Sequence, residues 1–267
     1  MLWQVENSRA RTRPLGSGAD STSSAFLPHA HYPKGKRMAR NYLVLDTETV
    51  GLDQPLVYDI GWVVSDSKGA ILCERRYLIR EVYENTSLMT QAYYYNKMPE
   101  YHADVQNNRV KVVPLQAARL ALFADMLAYN IREVYAYNAD FDHRALNATV
   151  SRRSGGFVPE FLPDGISWRC IMGYTQDTVC TTPKYVTWAV QTGNCSEKGN
   201  PKGSAEAVYR YITRNGEFIE AHTALEDAKI ETAILHYARA HHGRKRGEWV
   251  SGSRWRKMRE VRNKLGI

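Results

Sequence analysis

Cysteine is scarce and unpatterned in this chain. Of 267 residues four are cysteine, Cys73, Cys170, Cys180 and Cys195, and no two stand in a C-x-x-C pair. That spacing argues against a zinc knuckle, and so few thiols in so long a chain fit a reducing compartment rather than a disulfide framework. Long apolar runs are missing too. None reaches 18 residues, so no segment reads as a membrane-spanning helix. The N-terminus lacks the apolar stretch of a secretory signal. The expected location is the cytoplasm, with no membrane partner. At 43% hydrophobic residues the chain still has enough apolar side chains for a sizeable core.

Acids are nearly absent from both ends. Residues 1–40 hold two Asp/Glu against seven Lys/Arg, and residues 239–267 hold two against ten. Between them the balance reverses, with 24 acids against 19 basic residues. Basic ends around an acidic body suggest a polyanionic partner, with the body's acids grouped where a metal would sit. Merely solubilising tails are the competing reading. Residues 1–40 are rich in Ser, Gly, Pro and Arg without helical or strand periodicity, and read as a disordered basic N-terminal extension. Pro14, Gly16, Gly18 and Pro33 argue against an amphipathic transit helix there, and Met38 is a candidate start ahead of the first strand. The expected organisation is a folded domain over 41–240, followed by a basic C-terminal tail over 241–267.

The domain opens on Tyr42-Leu43-Val44-Leu45-Asp46-Thr47-Glu48-Thr49, an apolar strand that ends in two acids. Strand side chains alternate faces, so Asp46 and Glu48 aim the same way, and two like charges at a buried strand end are costly without a cation. Further strands are expected near 58–65 and 70–79, joined by the turn-forming Asp66-Ser67-Lys68-Gly69, which gives an antiparallel meander of three. Pro114 opens a helix with Leu115, Ala118, Leu122 and Met126 at helical spacing. Val134–Tyr137 reads as a buried strand, followed by the turn Asn138-Ala139-Asp140-Phe141-Asp142 and a helix through Val150, which together form a crossover unit. Residues 166–172 read as another strand or its continuation into a helix, 176–203 as a loop-rich excursion, 203–213 as a helix, and about 224–240 as the last helix. The Tyr93-Tyr94-Tyr95 cluster suits stacking on unpaired bases, although packing is the commoner use of such a run.

Acids recur at element ends: Asp46 with Glu48, then Asp142, then the stretch from Glu220 to Asp227. Thr223 with Glu226 three residues on fits a capping box, which puts Asp227 in a helix's first turn and His222 on the loop entering it. From that loop His222 can converge with Asp227, which five residues of continuous helix would not allow. Singly these features are ordinary. Asp142 suits a helix start by the dipole, His222 a surface position, and D-x-E a solvated strand end.

Together, D-T-E-T at 46–49, N-A-D-F-D at 138–142 and H-x-x-x-x-D at 222–227 resemble the three motifs of the DnaQ-like exonucleases, in the DEDDh branch, over about residues 41–240. The resemblance implies a ribonuclease H-like fold, a mixed five-stranded sheet flanked by helices on both faces. It implies Asp46, Glu48, Asp142 and Asp227 as ligands of two Mg2+ ions, for which Mn2+ can substitute, and His222 as general base. The first motif's Thr49 and Leu52, and the second motif's Asn138 and Phe141, match positions that touch or support the terminal nucleotide. The implied activity is 3′→5′ removal of nucleoside 5′-monophosphates from single-stranded DNA or RNA 3′ ends, of which proofreading is one use. A catalytically silent nucleic-acid-binding module and a polymerase accessory subunit docked through the C-terminal tail are the alternatives. Trp249 and Trp255 among the basic residues of that tail suit a single strand held by charge and stacking.

Overall fold

The computed structural model describes residues 40–51, 53–241 and 249–267. The expectations for the N-terminal extension, for Leu52 and for 242–248 therefore lie outside the described residues. The elements run β1 (Tyr42–Val50), β2 (Leu56–Ser65), β3 (Ile71–Ile79), the short helices α1 (Arg80–Tyr83) and α2 (Thr86–Met89), α3 (Met98–Gln106), β4 (Lys111–Val113), α4 (Leu115–Ala128), β5 (Glu133–Ala136), α5 (Ala139–Arg153), β6 (Ser167–Cys170), α6 (Ile171–Thr175), α7 (Pro183–Gln191), α8 (Ala205–Thr213), α9 (Ala224–His241) and α10 (Trp255–Leu265).

The strands form one sheet in the order β4-β3-β2-β1-β5-β6. β1, β2 and β3 make the expected antiparallel meander, while β4, β5 and β6 each run parallel to the neighbour nearer the centre. The sheet has six strands where five were expected. The extra one, β4, is only three residues long and pairs with Tyr77–Ile79, too short a stretch to carry an alternating pattern. Asp66 secures the β2–β3 turn by accepting the backbone N–H groups of Lys68 and Ala70, and Gly69 supplies the positive φ of 93°.

β1 lies at the centre, and its alternation divides the core. On one face Leu43 and Leu45 meet Ala118 and Leu122 of α4 and Ala145 and Leu146 of α5. On the other, Tyr42 and Val44 meet Ile234 and Leu235 of α9, with Tyr174, Tyr185 and Val208 from α6, α7 and α8. Helices therefore cover both faces.

Two segments differ from the sequence reading. The excursion 176–203 contains α7, started by Thr182, whose hydroxyl accepts the Tyr185 N–H, with Pro183 in the first turn. It buries Tyr185, Val186 and Ala189; its surroundings of Gly, Pro, Asn and Thr masked this short apolar face. The C-terminal residues 249–267, expected as a tail beyond the domain, pack against it. Trp249 stacks on Tyr174 with ring centroids 4.1 Å apart, Met258 of α10 is buried in the second core, and Arg254 and Lys257 both pair with Asp177. Apolar anchors at 249 and 258 among so many cations gave too sparse a pattern to read as a packed helix.

Candidate active site

One glycine makes the site possible. Asp46 on β1 faces Gly61 on β2 across the ladder. A Cβ at Gly61 would stand 2.4 Å from the Leu225 N, so only a bare backbone lets the start of α9 lie down on the sheet there. That approach brings Asp227, in the first turn of α9, to the face from which Asp46 and Glu48 project.

The start of α9 is not held by the expected capping box. The Thr223 hydroxyl is buried and has no partner among the described residues, and Glu226 turns outward to Lys229 at 3.0 Å. Instead the Asp59 carboxylate of β2 accepts the Ala224 N–H at 3.3 Å. Asp59 is itself fixed by Arg76 and by the Tyr101 hydroxyl at 3.0 Å. A carboxylate from the sheet thus takes the place of the local cap, anchoring the helix to the strand beside Glu48.

His222 precedes α9 in the left-handed region, with φ of 49°. Its Nδ1 lies 3.9 Å from both Glu220 Oε2 and Asp227 Oδ2. Its ring stacks on Tyr94 at 4.2 Å, and Lys97 donates to the neighbouring Ala221 carbonyl. Tyr94 packs edge-on to Tyr93, whose own ring is 77% exposed. The tyrosine run is therefore neither core nor an isolated surface cluster; it borders the site.

Of the two acids in Asn138–Asp142, Asp140 is exposed and Asp142 is buried. The Thr47 hydroxyl donates to Asp142 Oδ1 at 2.8 Å, so the residue between the two β1 acids fixes the third. Asn138 is exposed just before α5, and Phe141 is half-buried with the Arg144 guanidinium over its ring. Thr49 lies half-buried on β1 where the pairing with β2 shifts register.

The acids raise one another's affinity for protons. Burial, then the charges of Glu231, Asp142, Glu48 and Asp227, holds Asp46 well above the carboxylate range. Burial, with Asp227 next in weight, pushes Glu48 up to about 9. Burial, with Glu220 next, takes Asp227 to about 8, and burial takes Asp142 to about 7 against the pull of Thr47. His222 moves the other way, lowered by burial and by the nearby Lys97. Two participants had no assigned role in the sequence. Glu220, pushed up to about 7 by burial and by Glu206, sits on the loop beside His222. Glu231, buried on α9, is raised by burial and by Asp142, Asp227 and Glu220.

This donor set fits a hard divalent cation. One ligand atom each from Glu48, His222 and Asp227 lies within 4.8 Å of the others, and Asp227 Oδ1 is buried with no hydrogen-bond partner among the described residues. An acceptor left so in a pocket of like charges is costly unless a cation meets it.

No family model and no curated protein sequence matches the chain. Solved structures do. One is the zinc-bound complex of E. coli exonuclease I with single-stranded DNA, at 13% identity and a TM-score of 0.50 over 77% of this chain. Another is exonuclease I with SSB and the inhibitor CFAM, at 12% identity and a TM-score of 0.50 over 85% of this chain. The chain shares the ribonuclease H-like fold of exonuclease I. At these identities the likeness is one of fold, and the chain spans less than half of either structure, 42% and 46% of their lengths.

Proposed function

We propose that the chain is a metal-dependent 3′→5′ exonuclease acting on single-stranded nucleic acid, with Asp46, Glu48, Asp142 and Asp227 as the metal-holding carboxylates. The observation that carries this reading is their convergence with His222 at the end of β1, where Asp227 Oδ1 is buried without a partner among the described residues. The shared fold with exonuclease I, solved with single-stranded DNA, supports the substrate class. Two Mg2+ ions, or Mn2+ in their place, would supply Lewis acidity for in-line displacement at a phosphate.

The chain's own groups account for the rest. Asp46 and Glu48 project from an inner strand of the sheet, paired along its length with β2, and Thr47 orients Asp142 from the same strand. His222 is kept neutral near pH 7 by burial and Lys97, as suits an imidazole that takes a proton from the attacking water. Its ring lies against Tyr94, which limits its rotation, while the left-handed backbone lets the loop present it toward Asp227. The exposed Tyr93 ring next to that stack offers a platform for a terminal base. Thr49, Leu52, Asn138 and Phe141 are proposed as contacts of the terminal nucleotide. The exposed Trp255, with the guanidiniums of Arg256 and Arg259 over its ring, offers phosphate and stacking contacts farther along the strand. Trp249 is excluded from that role because it is stacked on Tyr174.

The test is Asp46→Asn against wild type on an end-labelled single strand with Mg2+. Loss of nucleotide release with binding retained supports the enzyme. Activity indifferent to this substitution and to a chelator contradicts it.

A further inference from the structure

Four carboxylates carry a charge that two divalent cations would balance, and beyond them the site contains Glu220 on the loop and Glu231 on α9. Glu231 stands one turn beyond Asp227 on α9, so the two share a helix face. It is 3% exposed, and among the described residues no Lys or Arg forms an ion pair with it. Its Oε2 accepts the Tyr137 N–H at 3.2 Å. The parallel pairing of β1 with β5 reaches Val44 and Tyr135, and Tyr137 opens the turn just past β5. A carboxylate tied to the Tyr137 N–H therefore sits at the turn that leads into α5 and Asp142, and its charge is the largest that acts on Asp46.

A buried acid without a cation is a heavy cost to stability. As a mere acceptor for one backbone N–H, a glutamine would serve equally well without the charge. The choice of an acid over its amide is what needs explaining, and Asp227 Oδ1 one turn away, buried and without a partner among the described residues, points to a cation in the same space. We propose that Glu231 belongs to the metal centre as a fifth carboxylate, whose charge strengthens the hold of Asp46 and Asp142 on divalent ions. The proposal rests on the metal-dependent reading above. It extends that reading to a residue that none of the three sequence motifs contains.

The test is calorimetric titration of the full chain with Mn2+, for wild type, Glu231→Gln, Glu231→Asp and Asp46→Asn, with the melting temperature of each recorded in EDTA. Glu231→Gln should bind Mn2+ about tenfold more weakly, in the range seen when groups supporting metal ligands are lost. Its melting temperature in EDTA should be unchanged or higher, because the Tyr137 contact survives and a buried acid is replaced by its neutral amide. Glu231→Asp, which keeps the charge, should bind more tightly than Glu231→Gln. Wild-type affinity in Glu231→Gln, with Asp46→Asn impaired, overturns the role of Glu231 and leaves the metal site standing. Equal weakening in Glu231→Gln and Glu231→Asp makes packing the cause and also overturns it. If wild type binds no Mn2+, the metal-dependent reading falls and takes this proposal with it.

Discussion

At the scale of single residues the account turns on protons. Asp142, Glu220, Asp227 and Glu48 are held at about 7, 7, 8 and 9, all above their values in an unfolded chain. The folded protein therefore keeps protons that the unfolded chain has released, and the metal-free protein must lose stability as pH rises through the window from about 4 to about 9. In EDTA the melting temperature should fall between about pH 5 and about pH 9, and Mg2+ should restore most of the loss at the upper end. A melting temperature flat or rising with pH in EDTA would contradict the acid cluster. His222 has the opposite sign. Its lowered value leaves it deprotonated at neutrality, so activity should rise with pH along a limb lying below the ordinary imidazole value. His222→Ala should lower kcat by about 10²–10⁴-fold while Mn2+ binding, measured by calorimetry, persists. Much of this site was legible beforehand, because acids at i and i+2 on an apolar strand are conspicuous, and so is a His on the loop before an acid-bearing helix. Glu231 was not. In a helix an acid amid Ile230, Thr232 and Ile234 reads as the polar side of an amphipathic face, and only the tertiary packing reveals that this position points inward.

At the scale of elements the position of α9 decides whether a site exists. Gly61 admits it, Asp59 caps it, and Arg76 and Tyr101 hold Asp59. Gly61→Ala forces a methyl group into the α9 backbone and should cost about 1–3 kcal/mol by overpacking. Because α9 carries Asp227, nuclease activity assayed well below the melting temperature should fall further than the lost stability explains. A denaturant melt and an assay on the same preparation test this. The cap was misread because Thr223 and Glu226 have the local spacing of a capping box, while the carboxylate that does the work lies on β2, far away in sequence. α10 teaches the same lesson. Met258 seals the second core, so Met258→Ala should cost about 2–5 kcal/mol, and removing the whole C-terminal segment would confuse folding with binding. Replacing Arg256 and Arg259 by alanine is the cleaner probe. The melting temperature should hold while single-strand binding weakens and its salt dependence becomes shallower. An unchanged salt dependence would remove α10 from the interface.

For the whole molecule, the antiparallel opening meander followed from alternation and turn chemistry, which act locally and are written in the sequence. The sixth strand and α7 were missed because each is short and borrows its stability from neighbours rather than from its own pattern. The ribonuclease H-like fold brings acids from β1, α5 and α9 to one strand end, and that arrangement is what makes hydrolysis of a phosphodiester the natural reading. The central claim is tested most directly by offering end-labelled single-stranded DNA and RNA to wild type and Asp46→Asn, with Mg2+ and with EDTA, and resolving the products. The account predicts stepwise shortening from the 3′ end with release of nucleoside 5′-monophosphates, abolished by EDTA and by Asp46→Asn. Failure to shorten either nucleic acid, or shortening that persists in EDTA and in the variant, would contradict it.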